Sequence, residues 1–113
     1  MILIFGGAYQ GKTAFARETF GEDADIRGGL EQFTWECCAE DPGRRREAAE
    51  EMRRTKAEWQ DQILIITDVS QGIVPTDERT RAFREMNGRL MLYLASEAEE
   101  VYRVFCGIGK RIK

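Results

Sequence analysis

Histidine is missing from this sequence of 113 residues. Without an imidazole, these residues carry out no step that uses histidine as a general base or as a nucleophile. Cysteine is scarce as well: Cys37, Cys38 and Cys106 form no CxxC pair and have no histidine to complete a zinc site. We therefore expect free cytosolic thiols and no bound zinc.

Long apolar runs and an excess of one charge are also missing. Nowhere do 18 apolar residues follow one another, and the apolar run at the N-terminus is too short for a signal peptide and has no charged leader. The 17 basic and 20 acidic residues are interspersed, so the net charge of −3 provides no basic field for nucleic acid and no polybasic membrane anchor. The 42% of hydrophobic residues suffices for a core without disulfides. We expect one cytoplasmic domain, residues 1–113, that binds neither nucleic acid nor a membrane.

The most informative stretch is the opening, MILIFGGAYQGKT. The apolar residues 1–5 predict a buried strand, and TAFARETF predicts a helix over residues 13–20. Between them lies the spacing of the Walker A phosphate-binding loop: a glycine, four residues, and then Gly-Lys-Thr. The predicted nucleotide-binding residues are Gly6, Gly7, Ala8, Tyr9, Gln10, Gly11, Lys12 and Thr13.

The residue types in this loop suit a polyphosphate. The glycines let successive backbone N–H groups turn toward one phosphate, while Lys12 offers an ammonium to the outer phosphates and Thr13 a hydroxyl to Mg²⁺. The positive end of the following helix points at the same place. The alternative is a glycine-rich turn without a ligand, and the flanking strand and helix favour the phosphate site. We predict ATP or GTP as substrate and Mg²⁺ as cofactor.

The patterns along the rest of the chain alternate between helix and strand. Residues 21–32 predict a loop that could include a short edge strand, and residues 33–38 fit either a strand or the start of a helix, of which we favour the strand. Residues 44–59 predict one helix. Ile63–Thr67 predicts a buried central strand of a parallel sheet.

A long helix should follow, with Thr76 as its N-cap. Its apolar spacing continues through Gly88, which indicates close packing at that residue. Residues 101–106 predict a third strand, followed by a glycine-bearing tail. The order of elements predicts an α/β fold, a three-layer arrangement like that of P-loop NTPases, with a mainly parallel sheet flanked by helices.

Asp68 follows the predicted central strand directly. Open α/β sheets bind ligands at the carboxyl ends of their strands, so this carboxylate would meet a nucleotide-bound Mg²⁺ or an attacking hydroxyl. The alternative role is to cap the local turn in DVSQG. We favour the functional role, which makes Thr13 and Asp68 the predicted metal ligands.

Four separated segments together resemble the adenosylcobinamide kinase/adenosylcobinamide-phosphate guanylyltransferase family of cobalamin biosynthesis. They are ILIFGGAYQGKT, ITDVSQGIVP, RAFREMNGR and AEEVYRVFCGIGKRIK. The GIVP of residues 72–75 matches the family outright, and Asp68 stands where the family has a glutamate. The long helix follows the family pattern at Arg81, Phe83, Arg84, Glu85 and Gly88.

The resemblance implies a kinase that transfers a phosphoryl group from ATP or GTP to the hydroxyl of adenosylcobinamide. It implies that Asp68 orients the aminopropanol hydroxyl of cobinamide or a metal-bound water. It also nominates Arg81 or Arg84 as the cation that faces the phosphates, the alternative for both being a surface ion pair or a place at the helix N-terminus. The predicted catalytic residues are Lys12, Asp68, Arg81 and Arg84. Because family members assemble as oligomers, we expect a homo-oligomer.

The sequence departs from the family pattern in ways that concern the guanylyltransferase activity. The segment that carries the guanylylated histidine of the family is missing, and Met91 and Leu92 replace an Asn-Gln pair. We therefore expect that guanylyl transfer through a histidine is lost. Two alternatives stay open: a nucleotide-binding accessory or regulatory subunit, and a kinase of a different small alcohol.

Overall fold

A sheet with helices on both faces forms the body of the molecule, seen in a computed structural model that describes residues 1–70 and 76–113. Within these residues the sheet has five strands in the order β2-β3-β1-β4-β5. Their bounds are β1 Ile2–Gly6, β2 Ile26–Arg27, β3 Ile63–Thr67, β4 Glu100–Phe105 and β5 Ile108–Arg111. The first four strands are parallel, and β5 is antiparallel to β4.

The helices make this a three-layer structure. They are α1 Lys12–Phe20, α2 Leu30–Cys37, α3 Ala48–Arg54, α4 Lys56–Trp59 and α5 Glu78–Glu97, with a 3-10 turn at Pro42–Arg44. Side chains alternate along β1, so Ile4 packs with Ala16 of α1 on one face, while Leu3 joins the cluster formed with α2, α3 and α5 on the other. The predicted α/β architecture with a mainly parallel sheet is confirmed. No helix in the described ranges is long and apolar enough to cross a lipid bilayer.

The order of the strands positions the site. The chain runs from β1 outward to β2, returns through β3, and then crosses to β4 on the other side of β1. Strand order therefore reverses at β1, and ligands of open α/β sheets bind outside the carboxyl ends of the strands at such a point. Gly6, the last residue of β1, pairs with Thr67, the last residue of β3.

The prediction of a strand over residues 33–38 was wrong, because this stretch belongs to α2. The helix begins earlier, at Leu30, and its buried residues Leu30, Thr34 and Cys37 recur at helical spacing along one side. Thr34 Oγ1 also donates to the carbonyl of Leu30 at 3.1 Å. The six residues taken alone are too few to show this period. The edge strand that residues 21–32 could include is present as β2.

The single helix predicted over residues 44–59 is also wrong. It is divided into the 3-10 turn, α3 and α4, and the break between the two helices lies at Thr55. The Thr55 hydroxyl contacts the carbonyls of Glu51 and Met52, and such back-bonding bends helices. The buried Trp59 spans the break, because its Nε1 donates to the Met52 carbonyl at 2.8 Å.

The glycine-bearing tail after the third predicted strand is not irregular but forms β5. Cys106 and Gly107, with φ of 51° and 77°, make the two-residue turn between β4 and β5. Positive φ at both central residues is the signature of the type I′ turn, which suits the twist of a hairpin.

Two predictions about the long helix need correction. Asp77, rather than Thr76, is the N-cap of α5, and its carboxylate accepts from the Thr80 N–H at 2.9 Å. Close packing at Gly88 is also wrong: a Cβ placed there would have no heavy atom within 4 Å among the described residues. The GIVP motif at residues 72–75 lies outside the described residues.

Candidate functional site

The predicted phosphate-binding loop connects β1 to α1 at the centre of the sheet edge. Gly11 has a φ of 84°, which a glycine adopts at no steric cost. Tyr9 has a φ of 59°, costly for a residue with a side chain, and its ring is wholly exposed to solvent. Strained backbone of this kind concentrates at ligand-binding loops.

Lys12 begins α1 and is buried beneath the loop, with 8% of its surface exposed. Its Nζ donates to the carbonyl of Gly7 at 2.6 Å, so the ammonium lies against the backbone that would surround a phosphate. Burial lowers the pKa of Lys12, and the nearby carboxylate of Glu31 opposes this by raising it. The arrangement concentrates one positive charge within the loop.

A cavity of about 320 Å³ adjoins the loop and α1; we call it the loop cavity. It is lined by Tyr9, Gln10, Gly11, Lys12, Thr13, Ala14, Gly28, Gly29, Glu31, Ile65 and Thr67. Residues 9–13 of the predicted phosphate site therefore share one space, which the start of α2 closes from the opposite side.

Glu31 is the residue of this cavity that sequence analysis missed. Its Oε1 accepts from the backbone N–H of Thr67 at 2.9 Å, which ties the first turn of α2 to the end of β3. The sequence does contain a signal, the pair Gly28 and Gly29 with an acidic residue two positions after it. Assigning the following residues to a strand concealed it.

Asp68 lies directly beyond β3 and beside the loop. Its N–H donates to the Gly6 carbonyl at 2.8 Å, and its Oδ1 accepts from both the N–H and the hydroxyl of Ser70, at 2.9 and 2.6 Å. The turn-capping role considered as the alternative is thus present. It occupies only Oδ1, and no described residue donates a hydrogen bond to Oδ2.

The peptide group between Thr67 and Asp68 is held from both sides of the sheet edge. Asn87 of α5 donates through Nδ2 to the Thr67 carbonyl at 3.0 Å, and the Asp68 N–H is bonded to Gly6. Two anchors on one peptide restrict the backbone dihedrals that aim the Asp68 side chain. The position of this carboxylate is therefore set by the phosphate loop and α5 together.

A second cavity, of about 300 Å³, lies under α5 on the opposite side of the Thr67–Asp68 segment; we call it the α5 cavity. It is lined by Leu3, Phe5, Asp68, Val69, Ser70, Arg84, Asn87, Gly88, Met91, Leu92, Ala95, Val101 and Ile112. Its walls are mostly apolar, and its polar residues are concentrated near Asp68.

The two nominated arginines are placed differently. Arg84 lines the α5 cavity together with Asp68 and donates to the Ser70 carbonyl. Arg81 is exposed, donates to the Thr76 carbonyl near the start of α5, and lines neither cavity. The structure thus brings Lys12 and Thr13 together in the loop cavity and Asp68 and Arg84 together in the α5 cavity.

The turn between β4 and β5 supports the phosphate loop. The Cys106 N–H donates to Gln10 Oε1 at 2.7 Å, and the Gly107 N–H donates to the Gln10 carbonyl at 2.8 Å. The two chains approach so closely that a Cβ on Gly11 would lie 3.3 Å from the Gly107 Cα. Gln10 is therefore held by both its backbone and its side chain.

The oxygen donors around the loop suit Mg²⁺. Thr13 supplies a hydroxyl, and Glu31 and Asp68 supply carboxylates near the strand ends. No group of three or more Asp, Glu, His or Cys side chains forms a metal cage in the described ranges. Mg²⁺ in nucleotide sites usually has one or two protein carboxylates, water and the phosphates themselves as ligands, so the residues present fit it.

Comparison with known proteins shows the family of the chain. The family model described as "CobU: Cobinamide kinase / cobinamide phosphate guanyltransferase" matches residues 30–112. Two relatives, each described as "Bifunctional adenosylcobalamin biosynthesis protein CobU", come from Salmonella typhimurium and Escherichia coli. Each is 43% identical over 51 residues, which is 45% of this chain and 28% of the relative. The match to the family model begins after the phosphate loop and includes Asp68 and Arg84.

Proposed function

We propose that this chain, which belongs to the cobinamide kinase / cobinamide phosphate guanyltransferase family of cobalamin biosynthesis, transfers a phosphoryl group from ATP or GTP to the hydroxyl of adenosylcobinamide. The observation that carries the proposal is that two consecutive residues line the two cavities, Thr67 the loop cavity and Asp68 the α5 cavity. One cavity contains the Walker A residues and the other contains Asp68 and Arg84. A phosphoryl donor and its acceptor need this kind of adjacency.

Binding of the nucleotide is assigned to residues 6–13. The loop N–H groups and the start of α1 would surround the phosphates, and Lys12 would exchange its bond with the Gly7 carbonyl for phosphate oxygens. Thr13 and Asp68 would hold Mg²⁺, which when bound neutralises charge on the β and γ phosphates. Burial of Lys12 strengthens its attraction to those phosphates because little water screens it.

The proposed transfer is a direct displacement. The acceptor hydroxyl oxygen attacks the γ phosphorus and forms the new O–P bond, while the bond from that phosphorus to the β–γ bridging oxygen breaks and releases the nucleoside diphosphate. Asp68 orients the hydroxyl, and the hydroxyl proton passes to water. Arg84, beside Asp68, adds positive charge where the negative charge moves. Guanylyl transfer is not included, because these residues contain no histidine.

The test is incubation of the protein with Mg²⁺, ATP or GTP, and cobinamide, followed by mass spectrometry of the corrinoid. We expect cobinamide phosphate from the wild type and none from Lys12→Ala. Lys110→Ala, an exposed lysine on β5, is the matched control and should retain activity. Nucleotide binding by calorimetry without any product would overturn the kinase assignment.

A second candidate, a nucleotide-binding accessory subunit, is favoured by one observation. The aligned segment spans only 28% of each bifunctional relative. An accessory subunit would bind nucleotide, form no cobinamide phosphate, and retain a partner protein. The same calorimetry and product assay separate the two candidates.

A homo-oligomer forms part of the proposal. Large apolar side chains are exposed at Leu92, Phe105, Ile108 and Ile112. Phe105 and Ile108 adjoin across the hairpin of β4 and β5, at the edge of the sheet. Exposed apolar surface beside an edge strand is a common place for association of chains.

A further inference from the structure

The two outer strands of the sheet lie in segments of opposite charge. β2 and β5 form the edges of the sheet, and no strand of the described residues pairs with the outer side of either. Residues 103–113, which include β5, contain four basic residues and no acidic one. Residues 18–26, which lead into β2, contain four acidic residues and no basic one, and Arg27 follows them. We call Lys110, Arg111 and Lys113 the basic edge and Glu22, Asp23 and Asp25 the acidic edge.

The hairpin of β4 and β5 contains two positive charges directly opposite each other. Arg103 of β4 pairs with Lys110 of β5, and like charges at such positions of an antiparallel pair destabilise it. Both side chains are exposed and line a surface groove of about 350 Å³ with Phe105 and Ile108. Neither forms an ion pair with an acidic residue of the described ranges. A carboxylate from outside the chain would therefore relieve their repulsion.

The acidic edge also has charges that the chain leaves unpaired. Glu22 and Asp23 are exposed in the turn before β2, and their carboxylates have no hydrogen bond or ion pair in the part of the chain that the structure describes. Arg17 donates to the carbonyl of Glu22 and not to its carboxylate. Asp25 is bonded, because its Oδ1 accepts from Gln62 Nε2 at 3.2 Å. The acidic edge can therefore receive cations from outside the chain.

The backbone of both edges is open to a further strand. The Ile112 N–H donates to β4, and because the direction of the N–H groups alternates along a strand, Arg111 directs its N–H outward. At the other edge the Asp25 carbonyl accepts from the Ile63 N–H at 2.9 Å, so the backbone groups of Ile26 face outward. Unpaired edge groups of this kind are a template for pairing with another chain.

Charge decides which edges of two copies can meet. Joining β5 to β5 would bring two basic edges together, and joining β2 to β2 would bring two acidic edges together, so both symmetric contacts are repulsive. Joining β5 of one copy to β2 of the next brings opposite charges together. We infer that the chain assembles head to tail, with the basic edge of each copy docked on the acidic edge of its neighbour.

This inference rests on the homo-oligomer of the proposed function and on no other part of it. It deepens that proposal by naming the two surfaces and the kind of contact. A contact between two different surfaces repeats from copy to copy, so it closes into a ring or continues as a filament, whereas a contact between identical surfaces ends at a dimer.

Two charge-reversed variants test the contact from its two sides. The basic-edge variant carries Lys110→Glu and Lys113→Glu, and the acidic-edge variant carries Glu22→Lys and Asp23→Lys; all four side chains are exposed. In sedimentation equilibrium at low salt, we expect each variant to raise the dissociation constant of the assembly about tenfold or more. Glu50→Lys, exposed on α3, is the control for reversing a carboxylate outside both edges and should assemble like the wild type. Circular dichroism checks that every variant is folded.

A mixture of the two variants tests whether the edges meet each other. Equal amounts should recover assembly to within about threefold of the wild type, because the introduced glutamates can face the introduced lysines and the other junction keeps its natural charges. An acidic-edge variant that assembles like the wild type would overturn the head-to-tail contact and leave the homo-oligomer standing. Loss of assembly in both variants without recovery in the mixture would overturn the contact as well. A wild-type monomer at high concentration would reject the contact and the homo-oligomer together, while the cobinamide assay reports on the kinase independently.

Discussion

Glu31 places a carboxylate beside the lysine assigned to the phosphates. The two side chains line the same cavity, and the Glu31 charge raises the pKa of Lys12 against the effect of burial. In the nucleotide-free protein this stabilises the buried ammonium. When phosphates enter, the same carboxylate repels them unless a cation lies between. Under the proposed function, we therefore expect Glu31 to favour nucleotide that arrives with Mg²⁺ over nucleotide alone.

Glu31→Gln isolates this charge effect. The glutamine keeps an oxygen for the Thr67 N–H but removes the negative charge, so affinity for Mg²⁺-free ATP should rise about threefold to tenfold. Affinity for Mg²⁺-ATP should change less. Calorimetry with EDTA and with Mg²⁺ measures both, and Glu36→Gln, exposed on α2, is the control. A fall in Mg²⁺-free affinity would contradict electrostatic repulsion.

At the scale of elements, the long helix α5 links its own N-terminus to the wall of the α5 cavity. Its N-terminus is held by Asp77, which caps it, and by Glu78, which accepts two hydrogen bonds of 2.7 Å from Arg45. Farther along, it carries Arg84, Asn87 and Gly88 into the α5 cavity. Whatever fixes the start of α5 therefore also fixes one wall of the α5 cavity.

Asp77→Ala should lower Tm at neutral pH and lose this effect in acid. Hydrogen bonds from the Thr80 side chain and N–H lower the pKa of Asp77 below its ordinary value of 3.8. The unfolded chain then binds more protons than the folded one, so the contribution of Asp77 is complete above that value and is lost as pH falls through the lower folded pKa. Thermal unfolding of wild type and Asp77→Ala at about pH 7 and about pH 2.5 shows whether their Tm values converge in acid.

Asp77→Asn is the matched control for the cap. Asparagine caps helices about as well as aspartate but does not titrate, so its Tm difference from Asp77→Ala should persist in acid. If the Tm difference between wild type and Asp77→Ala stayed constant down to the lower pH, ionisation of Asp77 would not be the source of its stabilising effect on the helix.

How far sequence predicted these elements depended on their length and isolation. Ile63–Thr67 was predicted with its exact bounds because a continuous β-branched run fits only a buried strand in this context. α2 was missed because its first residues, from Leu30, lay in the stretch predicted as a loop. The helical spacing of its buried residues was therefore divided between two predicted elements. β5 was missed because the turn before it places Cys106 at positive φ, where a glycine or asparagine is the usual signal.

For the candidate site, too, what the sequence predicts depends on whether the residues are close together in sequence. The predicted phosphate loop is contiguous, so its motif spacing can be read directly in residues 6–13, and its role stays a prediction. Glu31 and Asn87 act through bonds to the backbone of Thr67, which is 36 and 20 residues away in sequence. No local pattern encodes such contacts. They become visible only when the sheet brings the three segments together.

At the scale of the whole molecule, the hairpin edge decides the proposed assembly. Ile108→Lys puts a charge among the exposed apolar residues of that edge, and we expect it to shift the oligomer toward monomer in light scattering. Glu58→Lys, at an exposed position of α4, introduces a lysine outside the apolar surface of Phe105 and Ile108 and should retain the assembly. A wild-type protein that is monomeric at high concentration would contradict the proposal.

The central position of β1 also has a consequence for synthesis of the protein on the ribosome. β1 is made first, yet Ile2 pairs with Glu100, and Gln10 is held by Cys106 and Gly107. Neither partner exists until nearly all of these residues have been translated. A nascent chain arrested before that hairpin emerges would carry all of the predicted phosphate loop but lack both the second neighbour of β1 and the support of the loop. Under the proposed function, nucleotide should therefore bind late in translation and should not assist the folding of the early segments.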